Sequence, residues 1–139
     1  MTIKEIQEEI IDEFSMFDDW MERYEYIIEL GKSLPIIDEK YKLDENLIKG
    51  CQSKVWLYSE LDDKNVKFTA DSDAILTKGI VALLLRVYSG QEPDAILAAE
   101  THFIDEIGLK EHLSPTRANG LVSMLKQIKR YAIGHQTKL

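Results

Sequence analysis

Hydrophobic residues near the N-terminus repeat at intervals of three and four positions, the spacing of one face of an α-helix. This row is Ile3, Ile6, Ile10 and Phe14. Thr2 and Glu5 have the spacing of a capping box at its start. Residues Trp20–Leu30 predict a second helix, and Gly31 stands at the C′ position just past its end. Pro35 then disfavours helical geometry at the preceding residue, so we predict an extended connector.

Apolar and polar residues alternate over positions 55–61 and again over 66–70, a period that is typical of β-strands. A short polar run, DDKN, separates the two segments, so we predict an antiparallel hairpin. Trp56 and Tyr58 fall on the face opposite Val55 and Leu57. This arrangement indicates that both faces of the hairpin are at least partly covered.

The rest of the chain predicts helices. Asp71-Ser72-Asp73 is typical of a helix start with carboxylates at the positive end of the dipole. Residues 74–89 are apolar almost all round, as in a helix at the centre of a fold, and Gly90 would end it.

Two shorter helices and one long helix follow. Pro93 begins the first, and residues 103–107 form the second, which Gly108 ends. Ser114-Pro115 predicts the cap and first position of the last helix. Gly120 inside that helix indicates close packing, because glycine costs about 1 kcal/mol relative to alanine there. Helices around a small antiparallel sheet predict a single α+β domain over residues 1–139.

Charge and composition narrow the classes of function. The 139 residues include 17 Lys and Arg against 25 Asp and Glu, which gives a net charge of −8. This balance argues against nucleic acid or an anionic membrane as the main partner, because both require a basic surface. The N-terminus has no signal-peptide pattern, and the longest apolar run, residues 80–85, is too short to span a bilayer. We therefore expect a cytoplasmic protein.

The single cysteine, Cys51, excludes an intramolecular disulfide and a zinc site built on several thiolates. It lies between Gly50 and Gln52-Ser53, in a polar turn that leads into the first strand. One interpretation is a small buried hydrophobe, which describes most free cysteines. The other is a reactive thiol, because Gly50 lets the backbone bend sharply.

Lys49 and Lys54 flank this cysteine in the sequence, and a nearby cation favours the nucleophilic thiolate. Arg117 lies in the first turn of the last helix, where a cation is mildly unfavourable, and this placement is consistent with contact to an anion or partner as well as with an ordinary surface arginine. The histidines are His102, His112 and His135. Their spacing does not predict a metal site, and we expect no metal.

The segment LIKGCQSKVWL, residues 47–57, resembles the signature of the SufE family, sulfur acceptors for cysteine desulfurases in iron–sulfur cluster assembly. Other stretches resemble the family in the same order along nearly the whole chain. These are residues 23–32, 70–74, 78–80 and 113–121.

The resemblance implies an α+β fold similar to that of IscU-type scaffolds, with Cys51 on a loop as the sulfur-accepting thiol. It implies a SufS-like desulfurase and a SufBCD-like scaffold complex as partners, and stimulation of the desulfurase. The chain would need no cofactor beyond a transient persulfide, because the pyridoxal phosphate belongs to the desulfurase. Supporting residues would be Gly50, Gln52 and Ser53 in the loop, and Arg117, Lys49 and Lys54 for docking or orienting a partner.

Two alternatives remain at this point. A self-contained thiol enzyme, such as a hydrolase or peroxidase, requires a histidine or another base within hydrogen-bond reach of Cys51. A cluster scaffold that binds iron itself usually requires several thiolates, and the chain offers one.

Overall fold

Seven α-helices and one two-stranded sheet make up residues 1–138, the part of the chain that this computed structural model describes. The helices are α1 (Ile3–Ser15), α2 (Trp20–Leu30), α3 (Ile75–Tyr88), α4 (Pro93–Ala98), α5 (His102–Glu106), α6 (Leu109–His112) and α7 (Pro115–Gln136). The strands are β1 (Val55–Asp62) and β2 (Asn65–Ser72). The predicted α+β class with a small antiparallel sheet is confirmed.

The first two helices begin where the sequence predicts. The Thr2 hydroxyl accepts a hydrogen bond from the Glu5 amide at 3.1 Å, and the Glu5 carboxylate accepts one from the Thr2 amide at 2.9 Å. These two bonds form the predicted capping box of α1. Asp19 caps α2 by accepting from the Glu22 amide at 2.8 Å.

Gly31 follows α2 as predicted, but for a different reason than a left-handed C′ residue. Its φ of −58° is right-handed, and the chain continues into a short 3₁₀ turn over Gly31–Ser33. A Cβ atom here would lie 3.1 Å from the backbone nitrogen of Gly79 in α3. Close approach of two backbones therefore favours glycine at this position.

The hairpin pairs β1 with β2 in one antiparallel register, from Val55 opposite Ser72 to Asp62 opposite Asn65. The predicted extended connector runs beside β2, because the Ala70 amide and carbonyl both bond to it, at 3.0 Å each. One face of the hairpin is buried along most of its length, and its end residues Leu61 and Ser72 are partly buried. On the other face, Tyr58 is half-buried and stacks on Tyr41, with ring centroids 3.9 Å apart. Partial cover of both faces is thus confirmed. Tyr41 lies in a short 3₁₀ turn over Glu39–Tyr41, so the chain after Pro35 is not extended throughout.

The start of α3 differs from the prediction. Asp71 and Ser72 still belong to β2, and the cap residue Ala74 makes no side-chain capping bond. The Asp71 carboxylate instead pairs with Lys42 at 2.8 Å and with Lys78 at 3.4 Å. Hairpin pairing therefore extends through residues whose composition is also typical of a helix cap.

The second half of the fold is built around α3, which is buried almost all round as predicted. Gly90 and Gly108 adopt positive φ angles of 84° and 77° and lie at helix ends, as expected. Ser114 caps α7 by accepting from the Arg117 amide at 3.3 Å, and Pro115 takes the first helical position. The sequence pattern missed α6, which is a single turn between Gly108 and this cap.

Candidate functional site

Cys51 lies on the loop that enters β1, where the backbone makes a sharp turn at Gly50. The φ of Gly50 is +91°, a conformation that side-chain-bearing residues rarely adopt. A Cβ atom at this position would also lie 2.6 Å from the hydroxyl oxygen of Ser123 in α7. The backbone conformation therefore favours glycine here, and the absence of a side chain lets the loop lie close to α7.

The exit of the loop is fixed by Asp73. Its carboxylate accepts a hydrogen bond from the Lys54 amide at 3.0 Å, and the Asp73 amide bonds to the Lys54 carbonyl at 3.3 Å. Asp73 was predicted to cap a helix, but its structural role is to tie the end of the Cys51 loop to the end of β2.

The thiol of Cys51 packs against the middle of α7. It donates a long hydrogen bond to the Gly120 carbonyl, with 3.6 Å between sulfur and oxygen. A Cβ atom on Gly120 would lie 3.4 Å from the Cys51 sulfur. The close packing predicted from the glycine in this helix is confirmed, and the group that packs there is the thiol itself.

A narrow cavity of about 20 Å³ opens beside the sulfur, and we call it the thiol slot. Its wall combines α3, α7 and the loop, through Thr77, Ile80, Thr116, Arg117, Gly120, Met124, Gln52 and Ser53. A volume on the order of 10–15 Å³ is enough for one water molecule, so the slot holds about one extra atom beside Cys51.

Burial raises the pKa of the Cys51 thiol. The expectation that Lys49 and Lys54 favour the thiolate is not met, because burial is what shifts the pKa and both lysine residues are exposed. Removing the thiol from water disfavours its charged form. In the free protein, the thiol is therefore held mainly protonated at neutral pH.

This burial predicts a pH profile for alkylation of Cys51 by iodoacetamide. Because only the thiolate reacts, we expect the midpoint of the curve of rate against pH to lie above that of free cysteine, whose pKa is about 8.5. Free cysteine measured in parallel provides the reference curve. A rate that levels off near neutral pH would contradict the raised pKa.

The three cationic residues predicted to assist Cys51 lie in three different places. Arg117 lines the thiol slot, is exposed, and donates a hydrogen bond to the Tyr24 hydroxyl at 3.4 Å. Lys49 lines a different, larger groove beside the loop. The backbone of Lys54 bonds to Asp73, and its exposed side chain does not line the slot.

Within the described residues, all three histidines have partners away from the slot. His102 lies 3.7 Å from Glu100 and 3.6 Å from Glu106, and His112 stacks on Trp20 at 4.2 Å. His135 bonds to the Ser59 hydroxyl at 2.8 Å. The described wall of the slot contains no histidine, aspartate or glutamate, so a base that could activate Cys51 is not beside it.

Over residues 1–138, no three His, Cys, Asp or Glu side chains cluster in a way that could hold a metal ion. In the same part of the chain, none of the helices combines the length and apolar character needed to cross a membrane.

Three residues that line the slot, and that are far from Cys51 in the sequence, could not be identified from the sequence. Thr77, Ile80 and Met124 look like ordinary core positions of two helices, and only the packing of α3 and α7 brings them to the loop. Gly120 carried a signal, since glycine inside a helix indicates close approach. Nothing in the sequence indicated what approaches it.

Fold and site together define a small α+β protein whose one thiol is half-buried in a slot without a neighbouring base. The chain belongs to the SufE family, because the family model described as an Fe-S metabolism associated domain matches residues 8–132. This membership implies a sulfur-transfer role in iron–sulfur metabolism.

Curated relatives support the assignment. An uncharacterized SufE-like protein of Rhizobium meliloti is 42% identical over 132 residues, covering 91% of this chain and 94% of its own. Another from Rhizobium etli is 45% identical over 130 residues, covering 90% and 88%. The Arabidopsis thaliana SufE-like protein 1, chloroplastic/mitochondrial, is 38% identical over 132 residues, which are 94% of this chain and 36% of that longer protein.

A solved structure has the same fold. The solution structure of a hypothetical protein from Thermus thermophilus superposes with a TM-score of 0.80, covering 95% of this chain and 96% of that one. The two sequences are 19% identical, so the likeness concerns the fold alone.

Proposed function

We propose that Cys51 accepts persulfide sulfur from a pyridoxal-phosphate-dependent, SufS-like cysteine desulfurase and hands it on for iron–sulfur cluster assembly. The observation that carries this proposal is a lone thiol beside a slot with room for about one more atom. Family membership supports the same role. Removal of sulfur frees the desulfurase cysteine for another turnover, so the chain stimulates that enzyme. The expected setting is the cytoplasm, with a SufBCD-like complex as the sulfur recipient.

The transfer is an exchange between thiols and needs no cofactor in this chain. The Cys51 thiolate attacks the outer sulfur of the donor persulfide, a new S–S bond forms on Cys51, and the donor S–S bond breaks. The donor cysteine leaves as a thiolate and takes up the proton that Cys51 loses, so there is no net oxidation or reduction.

The raised pKa of Cys51 assigns a role to the partner. A half-buried, protonated thiol is a poor nucleophile, which protects the free protein from unwanted exchange. Gly50 is the residue at which the loop can change its backbone conformation most readily, so docking can draw the thiol out of the slot. Sulfur transfer is then confined to the complex.

The slot also supports storage of the persulfide. Ile80, Met124 and Gly120 surround the position next to the Cys51 sulfur, and a terminal sulfur atom seated there is shielded from stray thiols. Cys51 is the only cysteine of the chain, so no internal thiol can convert the persulfide into a disulfide.

Gly120→Ala tests this shelter. The new methyl group would lie 3.4 Å from the Cys51 sulfur, an ordinary contact, so the fold remains while the slot becomes smaller. With the extra sulfur in place, the added methyl group would overpack the slot. Overpacking costs on the order of 1–3 kcal/mol, and about 1.4 kcal/mol corresponds to a tenfold change in an equilibrium constant. We expect the lifetime of the Cys51 persulfide in dithiothreitol to fall about tenfold.

Gly134→Ala is the matched control, because it adds a methyl group to the same helix where, over residues 1–138, no atom outside the adjoining helix backbone lies within 4 Å. Its persulfide should last as long as that of the wild type. Equal lifetimes for all three proteins would show that the slot does not shelter the sulfur.

The proposed function is tested by sulfide release from a purified SufS-like desulfurase given cysteine and a reductant. Addition of the chain should raise turnover in proportion to its concentration until the desulfurase is saturated. Turnover that does not change, with complex formation demonstrated in the same samples, would overturn the stimulating role.

The two alternatives receive less support. A hydrolase or peroxidase needs a base at the thiol, whereas the described histidines have partners elsewhere. A scaffold that binds iron usually needs several thiolates, and the chain has one. Absence of colour and iron after anaerobic reconstitution is the expected result for a sulfur carrier.

A further inference from the structure

A groove of about 540 Å³, separate from the thiol slot, lies against the residues that precede Cys51. It is bounded by the segment 45–50 and by one face of α7. Three of the side chains that line it are cationic, namely Lys49, Lys126 and Arg130, and one is acidic, Glu45. We call this feature the basic groove.

The helical repeat explains why the cations converge. Ser123, Lys126 and Arg130 are spaced by three and four residues, so they share one face of α7. The sharp turn at Gly50 holds the preceding Lys49 on the loop that faces them.

Among the described residues, the three cations of the basic groove outnumber its one carboxylate, Glu45. No carboxylate of residues 1–138 forms a salt bridge with Lys49, Lys126 or Arg130, and Lys126 and Arg130 are exposed. Elsewhere, half-buried cations such as Arg86 and Lys42 each contact two carboxylates. A free cationic groove is therefore a local exception on a chain of net charge −8.

The basic groove and the thiol slot are neighbours along the loop and along α7. Gly50 lines the groove and the adjacent Cys51 lines the slot, while Ser123 and Met124 do the same on the helix. A stable protein–protein interface covers about 800 Å² on each partner. A protein that brings a persulfide to Cys51 therefore also covers the basic groove.

We propose that the basic groove docks a carboxylate-bearing segment of the protein that donates sulfur to Cys51. This inference rests on the proposed function and adds the chemistry of the partner surface. Complementary charge around a reaction site accelerates encounter and orients the partner. Such a positive groove matters most on this chain, because its net charge of −8 would otherwise repel an acidic protein.

The test is the double variant Lys126→Glu/Arg130→Glu, assayed for association with the SufS-like desulfurase in stopped flow at low and high salt. Both residues are exposed, so the fold is expected to remain. Electrostatic steering contributes on the order of 10- to 1,000-fold to association, so we expect at least a tenfold slower rate at low salt. Salt should slow the wild type and leave the variant nearly unaffected or faster.

The charge-matched control is Lys4→Glu/Lys64→Glu, which changes the net charge equally. Lys64 lies in the hairpin turn, at the end of the β1–β2 ladder far from Cys51. Lys4 lies near the same end, because the Met1 carbonyl accepts a bond from Gln91, which bridges to Val66. Association of this control should stay within about threefold of the wild-type rate, since distant charges are largely screened.

Each outcome separates the basic groove from the proposed function. Equal slowing of both variants would overturn the docking role and indicate net charge alone, and faster association of the groove variant would indicate a basic partner surface. A groove variant that associates normally but accepts no sulfur at saturation would also overturn docking. If the wild type bound the desulfurase normally but accepted no sulfur, the proposed function would be overturned. The docking role of the basic groove would then be tested by the association rates alone.

Discussion

Cys51→Ser is expected to remove all sulfur acceptance, so that a SufS-like desulfurase turns over at its own basal rate in the presence of the variant. A hydroxyl oxygen cannot form a persulfide by thiol exchange, and the chain has no other cysteine to replace it. The measurement is sulfide release with cysteine as substrate, compared with the wild-type chain at equal concentration.

The variant should fold and bind the desulfurase as the wild type does. The thiol makes one long hydrogen bond, to the Gly120 carbonyl, and a serine hydroxyl can donate to the same oxygen. The expected change in the free energy of unfolding is below about 1 kcal/mol. The variant should therefore inhibit stimulation by the wild type when the two compete for the desulfurase. Retained stimulation by Cys51→Ser would exclude Cys51 as the sulfur acceptor.

Gly79→Ala is expected to have the largest effect on stability. A Cβ atom here would lie 2.1 Å from the carbonyl oxygen of Ile27 and 2.7 Å from its carbonyl carbon. These are backbone atoms of α2, so α2 and α3 would have to move apart at the centre of the core. Overpacking costs typically 1–3 kcal/mol and occasionally more, so we expect a loss of about 3 kcal/mol.

Helix propensity alone would make a glycine-to-alanine change in a helix stabilising, so a loss of stability in Gly79→Ala must come from the close contact. Alanine is favoured over glycine in a helix by about 1 kcal/mol, so Gly134→Ala on the open face of α7 should be slightly stabilising. Urea unfolding of both variants provides the comparison. If Gly79→Ala were as stable as the wild type, the close contact between α2 and α3 would be incorrect.

Gly31 and the central helix show what a sequence pattern can and cannot predict. The approximate extent of the central helix, predicted over 74–89 and observed over 75–88, and its burial follow from the density of apolar residues, because burial on all sides needs an apolar surface on all sides. The role of Gly31 does not follow in this way. Its contact partner is Gly79 in another element, and local patterns carry no information on which backbones approach each other.

The candidate site likewise combines residues that the sequence identifies with a property that it does not predict. Cys51 and Gly50 could be identified from the sequence, because a cysteine in a polar turn after glycine differs from a core cysteine. The burial that raises the pKa of the thiol could not, since it comes from packing against Gly120 of α7, 69 residues further along the chain. For that reason, the flanking lysine residues suggested a thiolate that the structure does not favour.

Asp71 and Asp73 illustrate a competition between local signals. Both have the composition of a helix start, yet the first pairs with Lys42 from within β2 and the second fixes the end of the Cys51 loop. Strand pairing and ion pairs formed across the fold prevailed over the local preference for a cap. The outcome links the hairpin to the loop that carries the candidate thiol.

The most direct test of sulfur acceptance is the intact mass of the chain after incubation with a SufS-like desulfurase and cysteine, without reductant. We predict a gain of one sulfur atom, located at Cys51 by peptide mapping and reversed by dithiothreitol, and no gain for Cys51→Ser. An unmodified Cys51 beside a desulfurase that carries its own persulfide would contradict the account.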